Sequence, residues 1–147
     1  MTTKQKAIPT FDEIQEGDEL PTLQKTPGEL QLFMFSAITW DTHRTHWDIP
    51  YSVDVEHLPG ILVHGHLQGS WLTQIMSDWI VPKGKVAYVK YQNRGMAIQN
   101  EKLFVKGRVK GKATEDGKGV VSLDLWVEKE GGEITTAGEG KVELPLS

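Results

Sequence analysis

Aspartate and histidine crowd into one short stretch, Asp41-x-His43-x-x-His46-x-Asp48, and two further histidines flank a glycine at His64-Gly65-His66. An aspartate and a neutral histidine held a few residues apart on a constrained loop can share one water. One group accepts its proton while the other passes a proton to a neighbouring carbon or oxygen, and each typically contributes about 10²–10⁴-fold in rate. Gly65 stands where the most apolar helix-like run begins. The first N–H groups of a helix have no internal partner and lie at the positive end of its dipole, so a glycine there can offer its N–H to a developing oxyanion. One such donor is worth about 3–4 kcal/mol in a transition state. Residue types alone leave blander readings open, with Asp41 capping a turn, the loop histidines and Asp48 solvated, and Gly65 simply admitting the chain to its helix. Asp41, His43, His46, His64 and His66 also hold enough nitrogen and oxygen for zinc or non-haem iron. No His-Glu-x-x-His pattern sharpens that idea, and no metal is expected. Ser36, Ser52 and Ser70 lie in no Gly-x-Ser-x-Gly elbow.

The elements that must position these residues are legible from periodicity. Leu67, Trp71, Leu72, Ile75, Met76 and Trp79 recur at helical spacing around most of the circumference, which predicts a buried helix over 65–80, stopped by Pro82 and Gly84. Thr26-Pro27-Gly28-Glu29 reads as a helix start, with Thr26 as cap, giving a surface helix over 27–38 whose apolar face is Leu30, Leu32, Phe33 and Ile38. Residues 39–63 read as a loop-rich overhang with one helical turn near Tyr51–Val55. Leu20-Pro21-Thr22-Leu23 suits a sheet edge. Strands are expected over 86–91, 103–110, 121–128 and 134–144, joined by turns at Glu115-Asp116-Gly117 and Glu130-Gly131-Gly132. Gly138 and Gly140 inside the last strand point to a close backbone approach. The order predicts an α+β domain in which an antiparallel four-strand meander wraps one helix. Residues 1–9 read as a polar tail and 10–147 as a single domain.

Composition bounds the function. At 147 residues the chain can bury on the order of two-thirds of its unfolded surface without staples. It has no cysteine, which removes disulfides and thiolate chemistry. A formal net charge of -4 argues against nucleic acid as a partner. The N-terminal residues lack the apolar core of a signal peptide and no run is long enough to cross a bilayer, so a cytoplasmic protein is expected.

Taken together, Asp41-x-His43-x-x-His46-x-Asp48 and Pro59-Gly60-Ile61-Leu62-Val63-His64-Gly65-His66-Leu67 resemble the MaoC-like dehydratases, or (R)-specific enoyl-CoA hydratases, of the hotdog fold. That family's pattern is Ser-Gly-Asp-x-Asn-Pro-x-His-x-Asp followed by His-Gly-Met/Leu. Phe11-Asp12-Glu13-Ile14-Gln15-Glu16-Gly17-Asp18 and Ala137-Gly138-Glu139-Gly140-Lys141-Val142 resemble its first and last segments. The resemblance implies a hotdog domain that reversibly hydrates a 2-enoyl-CoA, with Asp41 and His46 as catalytic pair, Gly65 N–H on the thioester oxygen and Thr73 supporting the aspartate. It implies His43, Trp40, His64 and Arg94 as substrate-binding residues, with Lys90, Lys85 and Lys83 as further candidates for the phosphates of CoA. Trp40 replaces a family glycine and His43 an asparagine, which would reshape the acyl pocket. Arg44 is expected as a buried partner for Asp48 or Asp54. The flavour of the stretch is that of a subgroup including hydratases of branched dicarboxylic acyl-CoAs such as mesaconyl-CoA. No cofactor is expected beyond the CoA of the substrate, and a homodimer or higher hotdog oligomer is expected, with Trp126 hinting at a covered surface. A hotdog thioesterase and a non-catalytic acyl-CoA-binding subunit are the alternatives.

Overall fold

The computed structural model describes residues 8–146; of the expected N-terminal tail, residues 1–7 lie outside the described residues. In chain order the elements are β1 (Leu23–Lys25), α1 (Glu29–Thr39), α2 (Gly65–Ile80), β2 (Lys85–Asn93), β3 (Leu103–Glu115), β4 (Lys118–Lys129) and β5 (Ile134–Pro145). Between α1 and α2 lie only a 3₁₀ turn at Arg44–His46 and a π-type turn at Tyr51–Val55, the loop-rich overhang anticipated from the sequence.

The five strands form one antiparallel sheet in the order β1-β3-β4-β5-β2. The expected four-strand meander is therefore wrong in one respect: β2 pairs with β5 at the far edge, not with β3. Tight turns join β3 to β4, where Asp116 and Gly117 both take positive φ, and β4 to β5 at Gly132. No tight turn follows β2. Residues 94–102 instead run back across the overhang, where Leu62 bridges Ile98, so β2 closes the sheet from the other side.

The sheet curls around α2. Strand alternation sends Val105, Val109, Val121, Leu123, Leu125, Val127, Val142 and Leu144 inward against Leu67, Trp71, Leu72, Ile75, Met76 and Ile80 of the helix, all within one buried cluster. Phe11 and Ile14 close its end. The expected close approach at the last strand is real: a Cβ at Gly140 would meet the sulfur of Met76 at less than van der Waals distance, and one at Gly138 would meet the Lys90 carbonyl and Leu72. On the outer face Trp126 is half-buried, its indole N–H donating to Glu128 Oε2 at 2.7 Å.

α1 departs from its expectation. It begins at Glu29, with Gly28 as its cap and no side-chain cap bond, where Thr26 was expected. Pro27 instead holds the chain to the crossing segment, its carbonyl accepting the Asn100 N–H at 2.8 Å. The face turned inward is Leu32 and Ser36, while Leu30, Phe33, Met34 and Ile38 are exposed. Only the four-residue spacing of Leu32 and Ser36 reaches the core, because α1 lies on the overhang and not across the sheet.

The contact between α2 and β5 supports everything that follows, and it can be tested at Gly140. Gly140→Ala is expected to lose about 1–3 kcal/mol of stability by overpacking Met76 and Leu125. Gly111→Ala, where nothing lies within 4 Å of the new methyl, should change it little. Urea unfolding of the two variants measures the difference.

Candidate active site

The site is built at the end of α1. The Ser36 carbonyl accepts the N–H of Trp40 and that of Asp41, the latter at 3.0 Å, and this ends the helix. Trp40 sits in the left-handed region with φ 58, where a residue with a side chain is uncommon and strained by about 1–3 kcal/mol. The resemblance places a glycine here, and the backbone supplies the reason. Asp41 then turns the chain by accepting the His43 N–H on Oδ1 at 3.2 Å. Arg44 holds Asp48 through Nε and Nη2 at 2.9 and 2.7 Å, and Asp48 also accepts the Tyr51 N–H at 3.1 Å. The Arg44 hydrogen bonds, then that of Tyr51, hold the Asp48 carboxyl below the usual carboxylate range. Asp48 was rightly expected as the partner of Arg44, but the pair is not buried: the Arg44 side chain is 53% exposed over the ring of Tyr51. This pair fixes the turn and leaves the dyad to other residues.

His46 Nε2 lies 3.9 Å from Asp41 Oδ2, with both side chains partly exposed. His46 Nδ1 is 2.9 Å from the Leu62 carbonyl, which can only accept, so Nδ1 carries the proton. The Nε2 lone pair of the neutral ring therefore faces the aspartate across a gap too long for a direct hydrogen bond and suited to one shared water.

His64 is 1% exposed, which corrects the expectation that it touches substrate. Its ring lies edge-on to Phe35 and stacks on His46 with centroids 4.0 Å apart and planes at 20°. Nε2 is 2.8 Å from Ser36 Oγ, and Nδ1 is buried without a partner. Asp41, His46 and His64 each bring a ligand atom within 4.8 Å of the others. Two stacked imidazoles, however, direct their in-plane lone pairs side by side and not toward one point, so the arrangement suits proton transfer better than a metal. Burial, reinforced by His46, pushes the His64 imidazole down to about 4.

Gly65 opens α2, and as first residue it has no carbonyl within the helix for its N–H. A side chain here would collide with the amide of Asn93, whose Oδ1 accepts from Thr136 Oγ1 at 3.2 Å. Thr136 Oγ1 also lies 3.1 Å from Oε1 of the buried Gln68, so its one proton serves either acceptor, and Thr135 donates to Gln68 at 2.6 Å. Asn93 is a neighbour the sequence reading missed; the signal was a polar residue in the inward register of Val89 and Tyr91. The same reading missed Ser36 as a hydrogen-bonding group and Leu62 as an acceptor. Thr73, expected beside Asp41, is two turns farther along α2, about 12 Å from Gly65 along the axis, and makes no hydrogen bond to the Asp41 carboxylate among the described residues. Arg94 follows Asn93 and is exposed, lining an open depression on the outer sheet face with Lys90, Asp124 and Glu139. Lys83 bonds the Ile8 carbonyl and Lys85 pairs with Glu143. His43 is exposed and reaches Asp41 through its backbone N–H. Beside Asp41 is a recess of about 160 Å³ walled by Phe33, Ala37, Trp40 and Trp47.

The depressed His64 value carries a pH consequence. Between about pH 6.5 and 4 the unfolded chain binds a proton at this histidine that the folded chain does not. Its contribution is therefore present above 6.5 and lost as pH falls through that window, on the order of 3 kcal/mol in all. His64→Phe should flatten the acid limb of stability against pH, measured by urea midpoints; an unchanged slope contradicts the assignment.

A family model for hydroxyacyl-thioester dehydratase type 2 matches residues 1–99. A mesaconyl-C(4)-CoA hydratase of Chloroflexus aurantiacus is 37% identical over 67 residues, 46% of this chain and 24% of that protein. The chain thus matches about a quarter of the length of that curated relative. Among solved structures, the R-hydratase PhaJ1 of Pseudomonas aeruginosa superposes with a TM-score of 0.83 at 18% identity, over 94% of this chain and 86% of that one. An (R)-hydratase from A. caviae involved in PHA biosynthesis gives 0.79 at 19%, over 90% and 98%. A MaoC-like dehydratase from Rhodospirillum rubrum gives 0.79 at 12%, over 95% and 98%. At these identities the structural likeness speaks for the hotdog fold. With the family model spanning residues 1–99, the chain belongs to the hydroxyacyl-thioester dehydratase type 2 family.

Proposed function

We propose that this chain adds water reversibly across the α,β double bond of a 2-enoyl-CoA to give the 3-hydroxyacyl-CoA. The observation that carries the reading is the Asp41–His46 pair, 3.9 Å apart with the Nε2 lone pair of His46 turned to the carboxylate. In the hydration direction Asp41 and His46 hold one water between them. Its hydroxyl bonds to the β-carbon, the remaining proton passes to one of the pair, and that same proton then goes to the α-carbon on the same face as the enolate collapses. The Gly65 N–H, at the positive end of α2, takes the negative charge that grows on the thioester oxygen as the α-carbon becomes nucleophilic. The reaction draws on no redox step and needs no cofactor beyond the CoA of its substrate.

The recess walled by Phe33, Ala37, Trp40 and Trp47 favours an apolar acyl portion. Trp40, largely exposed, is one of its walls, and we propose that it and the exposed His43 set acyl selectivity. Among the described residues Arg94 and Lys90 have no ion-pair partner, unlike Lys85, and so are the cations best placed for CoA phosphates. A second chain fits two unfilled features, the outer edge of β2 and the exposed stripe Leu30, Phe33, Met34 and Ile38. We propose a homodimer or higher hotdog oligomer, for which light scattering should give a multiple of the 16.5 kDa chain mass and not that mass itself. Among the described residues no helix is long and apolar enough to cross a membrane; we place the protein in the cytoplasm, as fractionation would check.

Alkene loss and thiol release followed together on a panel of 2-enoyl-CoAs test the reaction. Alkene loss without thiol release is expected, and Asp41→Asn and His46→Gln should each lower kcat about 10²–10⁴-fold with folding retained. Thiol release with the alkene intact would replace hydration by thioester hydrolysis. In the same panel Arg94→Ala should raise KM roughly tenfold with little change in kcat. Trp40→Gly should raise KM without loss of stability, because its φ of 58 suits glycine.

A further inference from the structure

Ser36 and His64 do no chemistry in the reaction proposed above, yet they touch both members of its dyad. The Ser36 carbonyl accepts the Asp41 N–H at 3.0 Å, and its Oγ is 2.8 Å from His64 Nε2. His64 in turn lies flat on His46 at 4.0 Å between centroids. Ser36 is 6% and His64 1% exposed.

We infer that Ser36 and His64 form a positioning pair that sets the working separation of Asp41 and His46, Ser36 holding the aspartate through its carbonyl and the histidine through the stacked ring of His64. The Leu62 carbonyl anchors His46 at one nitrogen only. Rotation about that hydrogen bond would swing Nε2 away from Asp41, and the face of His64 blocks it. Ser36 pins His64 from α1, the element whose last turn also delivers Asp41. Both polar groups occupy places that stability alone would give to apolar ones. Ser36 shares the inward face of α1 with Leu32, and His64 sits against Phe35 with its Nδ1 unpartnered. Burying polar groups incompletely paired is unfavourable, so an apolar pair would fold at least as well and would lose the link. The titratable groups facing His64 are His46 and Asp41 from the overhang and His66 from α2; α1 presents only Phe35 and Ser36 to it. His64 stays neutral in this setting, so it keeps its stack when His46 takes a proton during turnover.

The inference rests on Asp41 and His46 being the catalytic pair, and its test has one arm that needs no reaction. Substrate-free ¹⁵N spectra of the His46 ring should show a single Nδ1–H tautomer in the wild type. The Nε2 resonance, which reports on the facing Asp41, should shift in both Ser36→Ala and His64→Phe while the Nδ1–H tautomer is kept. With a 2-enoyl-CoA, each variant should lower kcat roughly 10–100-fold at nearly constant KM, the scale of a dyad misplaced by about an ångström. The double variant should be no worse than either single one, and Ser36→Thr, which keeps the hydroxyl, should recover most of the lost rate. Ser36→Ala removes one oxygen and decides the matter if His64→Phe does not fold. An unchanged His46 spectrum in Ser36→Ala, unchanged kcat, or losses that multiply in the double variant would overturn the pair. If the wild type hydrates no enoyl-CoA at all, the functional reading fails while the spectra still decide whether the pair orients His46.

Discussion

The site depends on one backbone residue, Leu62. Its N–H donates to the Thr45 carbonyl at 3.0 Å and its carbonyl accepts the His46 Nδ1–H at 2.9 Å. That acceptor selects the tautomer of His46 and so turns a lone pair, not a proton, toward Asp41. Leu62 is itself laced in place. Val63 N–H bonds the Ala97 carbonyl, Gln99 N–H bonds the Ile61 carbonyl, and Ser52 Oγ donates to the Gly60 carbonyl at 2.7 Å. An overhang with little regular structure is thereby held about as firmly as a strand, and the strip that holds it runs straight into Gly65 and α2.

This arrangement puts the Asp41–His46 pair where two kinds of structure meet. α2 is rigid because it is buried on nearly every side, and its first N–H groups open toward the overhang. The overhang supplies side chains that a buried helix could not carry without large desolvation costs. Asp41 and His46 remain partly exposed, while His64, one residue before the helix, is buried and uncharged.

The sequence made the buried helix legible almost to the residue, because an apolar pattern this wide at helical spacing must be covered, and only the stripe of His66, Ser70, Gln74 and Asp78 is left exposed. Strand positions followed from alternation at Val121, Leu123, Leu125 and Val127, and the turns from their glycines. The place of β2 was not legible: pairing depends on which edge remains open after the other strands have turned tightly, and nothing local to Val86–Tyr91 records that. α1 failed for a related reason, since an apolar stripe shows that a surface wants cover without showing what covers it. In the site, type and spacing offered Asp41, His46 and Gly65 only as groups able to move a proton or receive negative charge, the resemblance gave them roles, and the structure brings Asp41 and His46 to 3.9 Å. Ser36, Leu62 and Asn93 act through position, Leu62 by its backbone alone, and position is a property of the folded chain. Thr73, two turns beyond Gly65, makes no hydrogen bond to Asp41 among the described residues, and a shared helix face alone does not bring one about.

The central claim is that Asp41 and His46 deliver water to a carbon–carbon double bond and leave the thioester whole. Incubation of a 2-enoyl-CoA with the protein in deuterated water, read by proton NMR, tests it most directly. The account predicts a 3-hydroxyacyl-CoA carrying one deuterium at the α-carbon on a single face, with the thioester intact, and the same product formed about 10²–10⁴-fold more slowly by Asp41→Asn. Free CoA with an unreacted alkene, or deuterium on both faces of the α-carbon, would contradict it.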